Sequence, residues 1–136
     1  IRTSWAYSQF GSNFLKTMLR LASERTSLSV VSDQIGTPTY AVDLAEVLLK
    51  IVTSKTKTFG IYNFSNEGQC SWYDFAHEIF LQKDITIDLQ AISTKLYPTP
   101  AKRPAYSVLD KSKIKATFGV NINDWKTSLN NCLKHY

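Results

Sequence analysis

The chain has 136 residues, of which 43% are hydrophobic and 12% aromatic, and carries a formal net charge of +5. That apolar content is enough for one ordinary core and excludes disorder, while the longest apolar runs, such as VLLKIV, are too short and too broken by lysine to cross a bilayer. Cys70 and Cys132 lack CxxC or Cys/His ligand spacing, which argues against a disulfide framework or zinc site; with no apolar leader, the expectation is a soluble protein of the reducing cytoplasm.

In chain order, IRTSW (Ile1 to Trp5) is apolar and β-branched and is predicted as a strand. It starts without a polar lead-in, so the chain is expected to be part of something longer. FLKTMLRLASER then puts Phe14, Met18, Leu21 and Ala22, or Leu15, Leu19 and Ala22, on one helical face, with Ser12 or Asn13 as cap. LSVVS (Leu28 to Ser32) is a short buried strand, and DQIGTPT is a loop held irregular by Gly36 and Pro38. A second helix follows in YAVDLAEVLLKIV, with Ala41, Leu44, Ala45, Leu48, Leu49 and Val52 predicted to face inward.

GIYNFS reads as another strand, and SWYD is a capping box opening a helix that carries Phe75, Ala76, Ile79 and Phe80. ITIDL (Ile85 to Leu89) is a strand candidate. After the proline-rich stretch, Asp110 is predicted to cap a short basic helix ending near Gly119. Asn123 or Asp124 then caps a last helix with Trp125, Leu129, Cys132 and Leu133 inward. Strands alternating with helices give an α/β fold with a mostly parallel sheet, one edge and face of which this chain alone would leave uncovered.

The five glycines are scattered, so no Gly-rich phosphate loop is present. His77 and His135 have no metal-ligand partners in sequence, no serine lies in a GxSxG elbow, and no tyrosine has a lysine four residues later. Metal, hydrolytic and Tyr/Lys reductase chemistry therefore have no local support. Trp5 at a strand end reads equally as a stacking platform or a core cap. Residues 95–136 hold eight Lys/Arg against two acids, which points either to an anionic partner or to a solvated face. In YPTPAKRPAYSVLD (Tyr97 to Asp110), three prolines stiffen a strap around Lys102 and Arg103. A guanidinium fixed in such a strap suits a diphosphate, and a proline-rich crossing loop accounts for the pattern equally well.

RTSWAYSQFGSNFLKTMLRLA, VSDQIGTPTYAVDLA, GIYNFSNEGQCSWYDFA and PTPAKRPAYSVLD, in this order, resemble the C-terminal part of the dTDP-4-dehydrorhamnose reductase family of extended short-chain dehydrogenase/reductases. The resemblance implies the C-terminal portion of a Rossmann-type fold. Residues 1–66 would complete the sheet and residues 67–136 would form the substrate lobe. The family's Gly-rich cofactor loop and Tyr-x-x-x-Lys pair have no match here, so no catalytic residue is assigned and the isolated chain is expected to be inactive.

The implied reaction is hydride transfer from NADPH or NADH to C4 of dTDP-4-dehydro-L-rhamnose. By position in the family pattern, Thr3 and Ser4 lie near the nicotinamide and Trp5 beside the deoxyhexose. Asn13 and Phe14 face the nucleotide at a helix N-terminus. Gln34, Gly36 and Thr37, with Arg103, Pro104 and Ser107, close on nucleotide and diphosphate. The resemblance also allows a homodimer, and a magnesium ion held by glutamates at a dimer contact, a site left unassigned among Glu24, Glu46, Glu67 and Glu78. It names no nucleic-acid or membrane partner. Two other readings stand beside it: a non-catalytic regulatory module of the same fold, like the β subunit of methionine adenosyltransferase, and nucleic-acid binding by the basic tail.

Overall fold

The computed structural model describes residues Ile1–Tyr136 throughout. In chain order the elements are β1 (Ala6–Tyr7), α1 (Phe14–Glu24), β2 (Ser27–Val31), β3 (Ile35–Gly36), β4 (Thr39–Tyr40), α2 (Ala41–Thr53), β5 (Cys70–Ser71), α3 (Trp72–Gln82), β6 (Asp88–Ile92), a 3-10 turn at Thr94–Leu96, α4 (Ser112–Phe118) and α5 (Trp125–Leu133). β1 pairs with β4 and β2 with β6, both parallel, while β3 and β5 are antiparallel. Parallel neighbours separated by helices make this the α/β arrangement expected from the alternating pattern.

Local chemistry sets most helix ends. Asn13 caps α1 by accepting from the Lys16 amide, and Asp124 caps α5 by accepting from the Lys126 amide. Ser71 and Asp74 form the reciprocal capping box at α3: the Asp74 amide donates to Ser71 Oγ at 3.0 Å and the Ser71 amide to Asp74 Oδ2 at 2.8 Å. α4 stops at Gly119, whose φ of 58° lies in the left-handed region. Asp110 does its capping one residue earlier than a formal N-cap, accepting from the Ser112 amide.

Several expectations shift. Ile1 to Trp5 is not a continuous strand, because Trp5 takes a φ of 46° and breaks the extended run. What remains is a one-residue parallel bridge from Arg2 to Asn63, closed by Arg2 N–H to Tyr62 O and Phe64 N–H to Arg2 O, so GIYNFS is likewise a bridge. The strand expected at Ile85 to Leu89 lies at Asp88–Ile92 instead, pulled C-terminal by its five-residue register with β2. α2 shows the largest difference. Leu44, Val47 and Ile51 pack inward, whereas Leu48, Leu49 and Val52, predicted to do so, are exposed, the last by 73%. The helix is apolar nearly all round, so its periodicity cannot say which stripe meets the rest of this chain.

Two cores result. The larger joins Tyr7, Leu15, Met18, Leu28, Val30, Tyr40, Phe75, Ile79, Trp125 and Leu129, and the smaller joins Val47, Tyr62, Phe64, Ile114 and Val120. Both draw on residues before and after position 66. Between them runs a buried polar bridge: Asn66 accepts from the Tyr40 amide and donates to Ser128 Oγ and Asp43, and Ser128 also donates to Asp43. Satisfying these groups locks α2, the 63–68 loop and α5 in one relative position.

Candidate functional site

The loop Asp33 to Thr39 is the hub on which the predicted site residues converge. Its β3 segment is paired on both sides. β5 contacts it in the register Ile35 to Ser71 and Gly36 to Cys70, and on the other side Tyr106 forms a parallel bridge with Ile35. The Ile35 amide donates to Ala105 O at 2.8 Å, and the Ser107 amide and hydroxyl both donate to Ile35 O. Tertiary pairing thus makes a strand of Ile35–Gly36, which local propensity alone marks as loop.

Gly36 is glycine because of what lies against it. A Cβ there would sit 2.6 Å from Cε2 and Cζ2 of Trp5 and 2.9 Å from Ser107 Oγ. The Trp5 indole therefore rests on bare backbone on one side. On another it stacks on Trp72, with ring centroids 3.6 Å apart and planes 14° apart. Trp72 in turn leans on Phe14 at 4.8 Å, and Phe14 stacks on fully buried Phe75 at 5.5 Å. Of the two readings of Trp5, the geometry favours the core cap: its ring is held between the Gly36 backbone and Trp72, although the residue remains half-buried.

The proline-rich strap is rooted at both ends on this same loop. At its start Thr94 donates to Asp33 through its amide and hydroxyl and accepts from Gln34 Nε2. At its end Ala105 and Ser107 bond Ile35. Between these feet Tyr97 to Pro104 is exposed. The Thr94 hydrogen bonds hold the Asp33 carboxyl below its usual value.

The free charge collects there too. Lys111 and Lys115 pair with Glu67 at 3.3 Å and 2.8 Å, Lys126 pairs with Glu78 at 3.0 Å, Lys113 lies over the Tyr62 ring at 4.4 Å, and Lys134 bonds Asn131. Burial alone pushes the Glu67 carboxyl up, but the two lysines outweigh it and leave it below the ordinary carboxylate value. Lys95, Lys102 and Arg103, all on or beside the strap, are the tail cations with no hydrogen-bond or ion-pair partner. Three of the eight tail cations are thus neutralised by Glu67 and Glu78, and those without any partner lie at the strap.

The other predicted residues take definite places. Thr3 Oγ1 donates to Thr39 Oγ1 and Ser4 Oγ to Thr37 O, tying the segment before Trp5 to the hub. Thr37 is fully buried, its hydroxyl donating to Gly68 O and its carbonyl accepting from Ser4 Oγ, so it holds the hub together. Asn13 is occupied by its cap and by bonds to Ser8 O and Phe10 O, and Phe14 by its aromatic neighbours. Trp72, Asp33 and Thr94 were not singled out from sequence. Trp72 was visible only as part of a helix-capping signature, and nothing in sequence joins Asp33 to Thr94, which stands 61 positions away.

Within this single chain the four glutamates considered for magnesium do not come together. Glu24 pairs with Arg20, Glu67 and Glu78 are held by lysines, and no group of three or more His, Cys, Asp or Glu is placed to hold a metal ion. No helix is long and apolar enough to cross a membrane.

Comparison with known proteins finds relatives along nearly the whole chain. The chain is 47% identical to dTDP-4-dehydrorhamnose reductase of Aggregatibacter actinomycetemcomitans over 96% of its own length and 48% of the relative's. It is 43% identical to the spore coat polysaccharide biosynthesis protein SpsK of Bacillus subtilis, covering 98% of this chain and 46% of SpsK. Among solved structures, a dTDP-4-dehydrorhamnose reductase of Clostridium acetobutylicum superposes with a TM-score of 0.92 at 43% identity, over 98% of this chain and 47% of that one. The reductase of Bacillus anthracis, in complex with NADP, superposes with a TM-score of 0.91 at 37% identity, over 98% of this chain and 46% of that one. The chain thus spans about half the length of the relatives it matches. The RmlD substrate binding domain model matches residues 1–136, and the chain belongs to that family.

Proposed function

We propose that this chain is the sugar-nucleotide side of a dTDP-4-dehydrorhamnose reductase, which reduces dTDP-4-dehydro-L-rhamnose to dTDP-L-rhamnose. The observation that carries the reading is the convergence of Trp5, Gly36, Ser107 and both feet of a cationic strap on one loop, in a chain matched end to end by a substrate-binding family.

NADPH or NADH would supply the hydride to C4, with the proton coming from a tyrosine outside these 136 residues. The chain's own residues fit only the nicotinamide end of that cofactor. Thr3 and Ser4 direct their hydroxyl protons into the hub and keep acceptor lone pairs, and no Gly-rich turn is present to cradle a pyrophosphate.

Trp5 stands beside the deoxyhexose, Asn13 and Phe14 present the amide-rich start of α1 to the nucleotide, and the loop of Gln34, Gly36 and Thr37 closes on it. Arg103, with Pro104 and Ser107 fixing its end of the strap, clamps the diphosphate, because a guanidinium fork matches two phosphate oxygens at once. Residues 67–136 carry the substrate lobe and 1–66 complete the cofactor-side sheet. Since both cores use both stretches, they fold together, and the chain without its partner half has no hydride or proton source of its own. The reaction belongs in the cytoplasm, where nucleotide sugars and reduced nicotinamide are available.

Calorimetric titration of the full-length protein with dTDP is the direct test. Arg103→Ala is expected to weaken binding about tenfold, the size of a charge-assisted hydrogen bond, and Lys102→Ala about twofold or less. Equal binding by the Arg103 variant and the parent makes the strap a crossing loop. No turnover of the dehydro sugar by the parent favours the regulatory reading. Salt-sensitive nucleic-acid binding that survives Arg103→Ala favours the third, against which the internal pairing of the tail lysines already weighs.

A further inference from the structure

We infer that the outer stripe of α2, formed by Val42, Ala45, Leu49 and Val52, seats a helix from the half of the protein outside these 136 residues. α2 carries two apolar stripes. Leu44, Val47 and Ile51 pack into the smaller core, whereas Val42, Ala45, Leu49 and Val52 are exposed, Leu49 by 66% and Val52 by 73%. Their 3-4-3 spacing keeps the four on one line along the helix, with Leu48 widening it and no charged residue upon it. An apolar line of this period is what another helix packs on, and the alanine in its middle lets two axes approach closely. No element of this chain covers it.

The backbone around Arg2 says which helix comes there. Arg2 bridges Asn63 in parallel, its amide donating to Tyr62 O and its carbonyl accepting from the Phe64 amide. Alternation along the strand turns the Thr3 amide and carbonyl to the opposite edge, where neither bonds another backbone group and Ile1 to Thr3 are exposed. Parallel sheets are covered on both faces and their edges are paired or shielded, and the relatives of this chain are about twice its length. A parallel strand added on that edge, followed by a helix leading into Ile1, makes the same right-handed crossover that α2 makes between Arg2 and Asn63. Both crossovers step across the sheet in one direction, so both helices lie on one face, side by side. The occupant of the stripe is therefore the helix that leads into Ile1. α2 begins directly after β4, whose Thr39 amide donates to Trp5 O, and its Asp43 accepts from Asn66 and Ser128. A helix seated on the outer stripe is thus held at a fixed distance from the hub. None of this depends on which ligand the hub binds.

Cysteine labelling of the full-length protein tests the seat. Cys70 and Cys132 are buried, so cysteines placed on α2 are the readable thiols of this half, each located by peptide mass after reaction with a maleimide. Leu49→Cys and Val52→Cys are expected to label at least about tenfold more slowly than Glu46→Cys, exposed on the same helix off the stripe, because a covered thiol reacts only through local opening. Equal rates at all three positions overturn the seat. Urea unfolding gives a second readout: Leu49→Lys should lower the midpoint by roughly 1 M and Glu46→Lys by less than about 0.2 M, and two equally small shifts mean that the stripe faces water. A photoreactive benzoylphenylalanine in place of Leu48 identifies the occupant. Its cross-link is expected within the same molecule, in the roughly 20 residues that precede Ile1, the span of one helix and its connection. A cross-link to any other segment overturns the assignment. So does protection at positions 49 and 52 that disappears on dilution together with a halved mass in sedimentation, since a second copy of the chain then covers the stripe.

Discussion

Replacing Gly36 with alanine is the sharpest single test of how the site is built. The added Cβ would lie 2.6 Å from two carbons of the Trp5 ring and 2.9 Å from Ser107 Oγ, where ordinary contact begins at 3.4 Å. The indole must therefore withdraw by roughly 1 Å, and an overpacked core costs about 1–3 kcal/mol. Trp72, already at 3.6 Å between centroids, restricts its retreat, and Ser107 is held by two bonds to Ile35, so the upper half of that range is expected. The φ of Gly36 is not in the left-handed region, which leaves sterics as the cause. Urea unfolding of the full-length protein measures the loss. In a Trp5→Phe background, where the fused ring carrying Cε2 and Cζ2 is gone, the same substitution should cost less than about 1 kcal/mol. A Gly36→Ala variant within about 0.5 kcal/mol of the parent, or an equal cost in both backgrounds, refutes this packing of Trp5 on Gly36.

Two further outcomes follow from buried groups of the larger core. Tyr7 is 2% exposed and its hydroxyl has no hydrogen-bond partner, and burial raises its pKa well above the ordinary phenol value. Tyr7→Phe removes a costly desolvated group while keeping the ring against Tyr40 and Phe75, so stability should hold or rise by up to about 1 kcal/mol; a loss larger than that means the hydroxyl is satisfied. Burial pushes the Cys70 thiol up to about 12 and the Cys132 thiol up to about 11, from an ordinary 9.0. The folded state then holds protons that the unfolded state releases, so their contribution is complete below about pH 9 and is lost as pH rises, by up to about 1.4 kcal/mol per pH unit for each thiol. Urea unfolding between about pH 8 and 10.5 should show a shallower decline for Cys70→Ala/Cys132→Ala than for the parent; parallel curves contradict it.

Much of the fold was legible because its signals are local. The caps at Asn13, Ser71 with Asp74, and Asp124, the stop at Gly119 and the inward faces of α1, α3 and α5 each depend on residues within one or two helical turns. The stripe chosen on α2 was wrong in part because a helix apolar on several faces carries no local preference among them. The start of the chain lost its continuous strand because the left-handed Trp5 is imposed by Thr39, Gly36, Ser107 and Trp72, all far along the sequence.

The same division holds for the site. Sequence by itself determined the α/β class, the family and the residue types: a lone tryptophan near the start, a glycine in a threonine-rich loop, and a proline-stiffened strap bearing an arginine. Chemical identity and order along the chain are enough for these. Only the tertiary structure decided that the strap is rooted at both ends on Asp33 and Ile35, that Lys111, Lys115 and Lys126 are already ion-paired, and that Trp72 stands against Trp5. Those facts depend on strand pairing and ring stacking between residues tens of positions apart, and no spacing in the sequence encodes such distances.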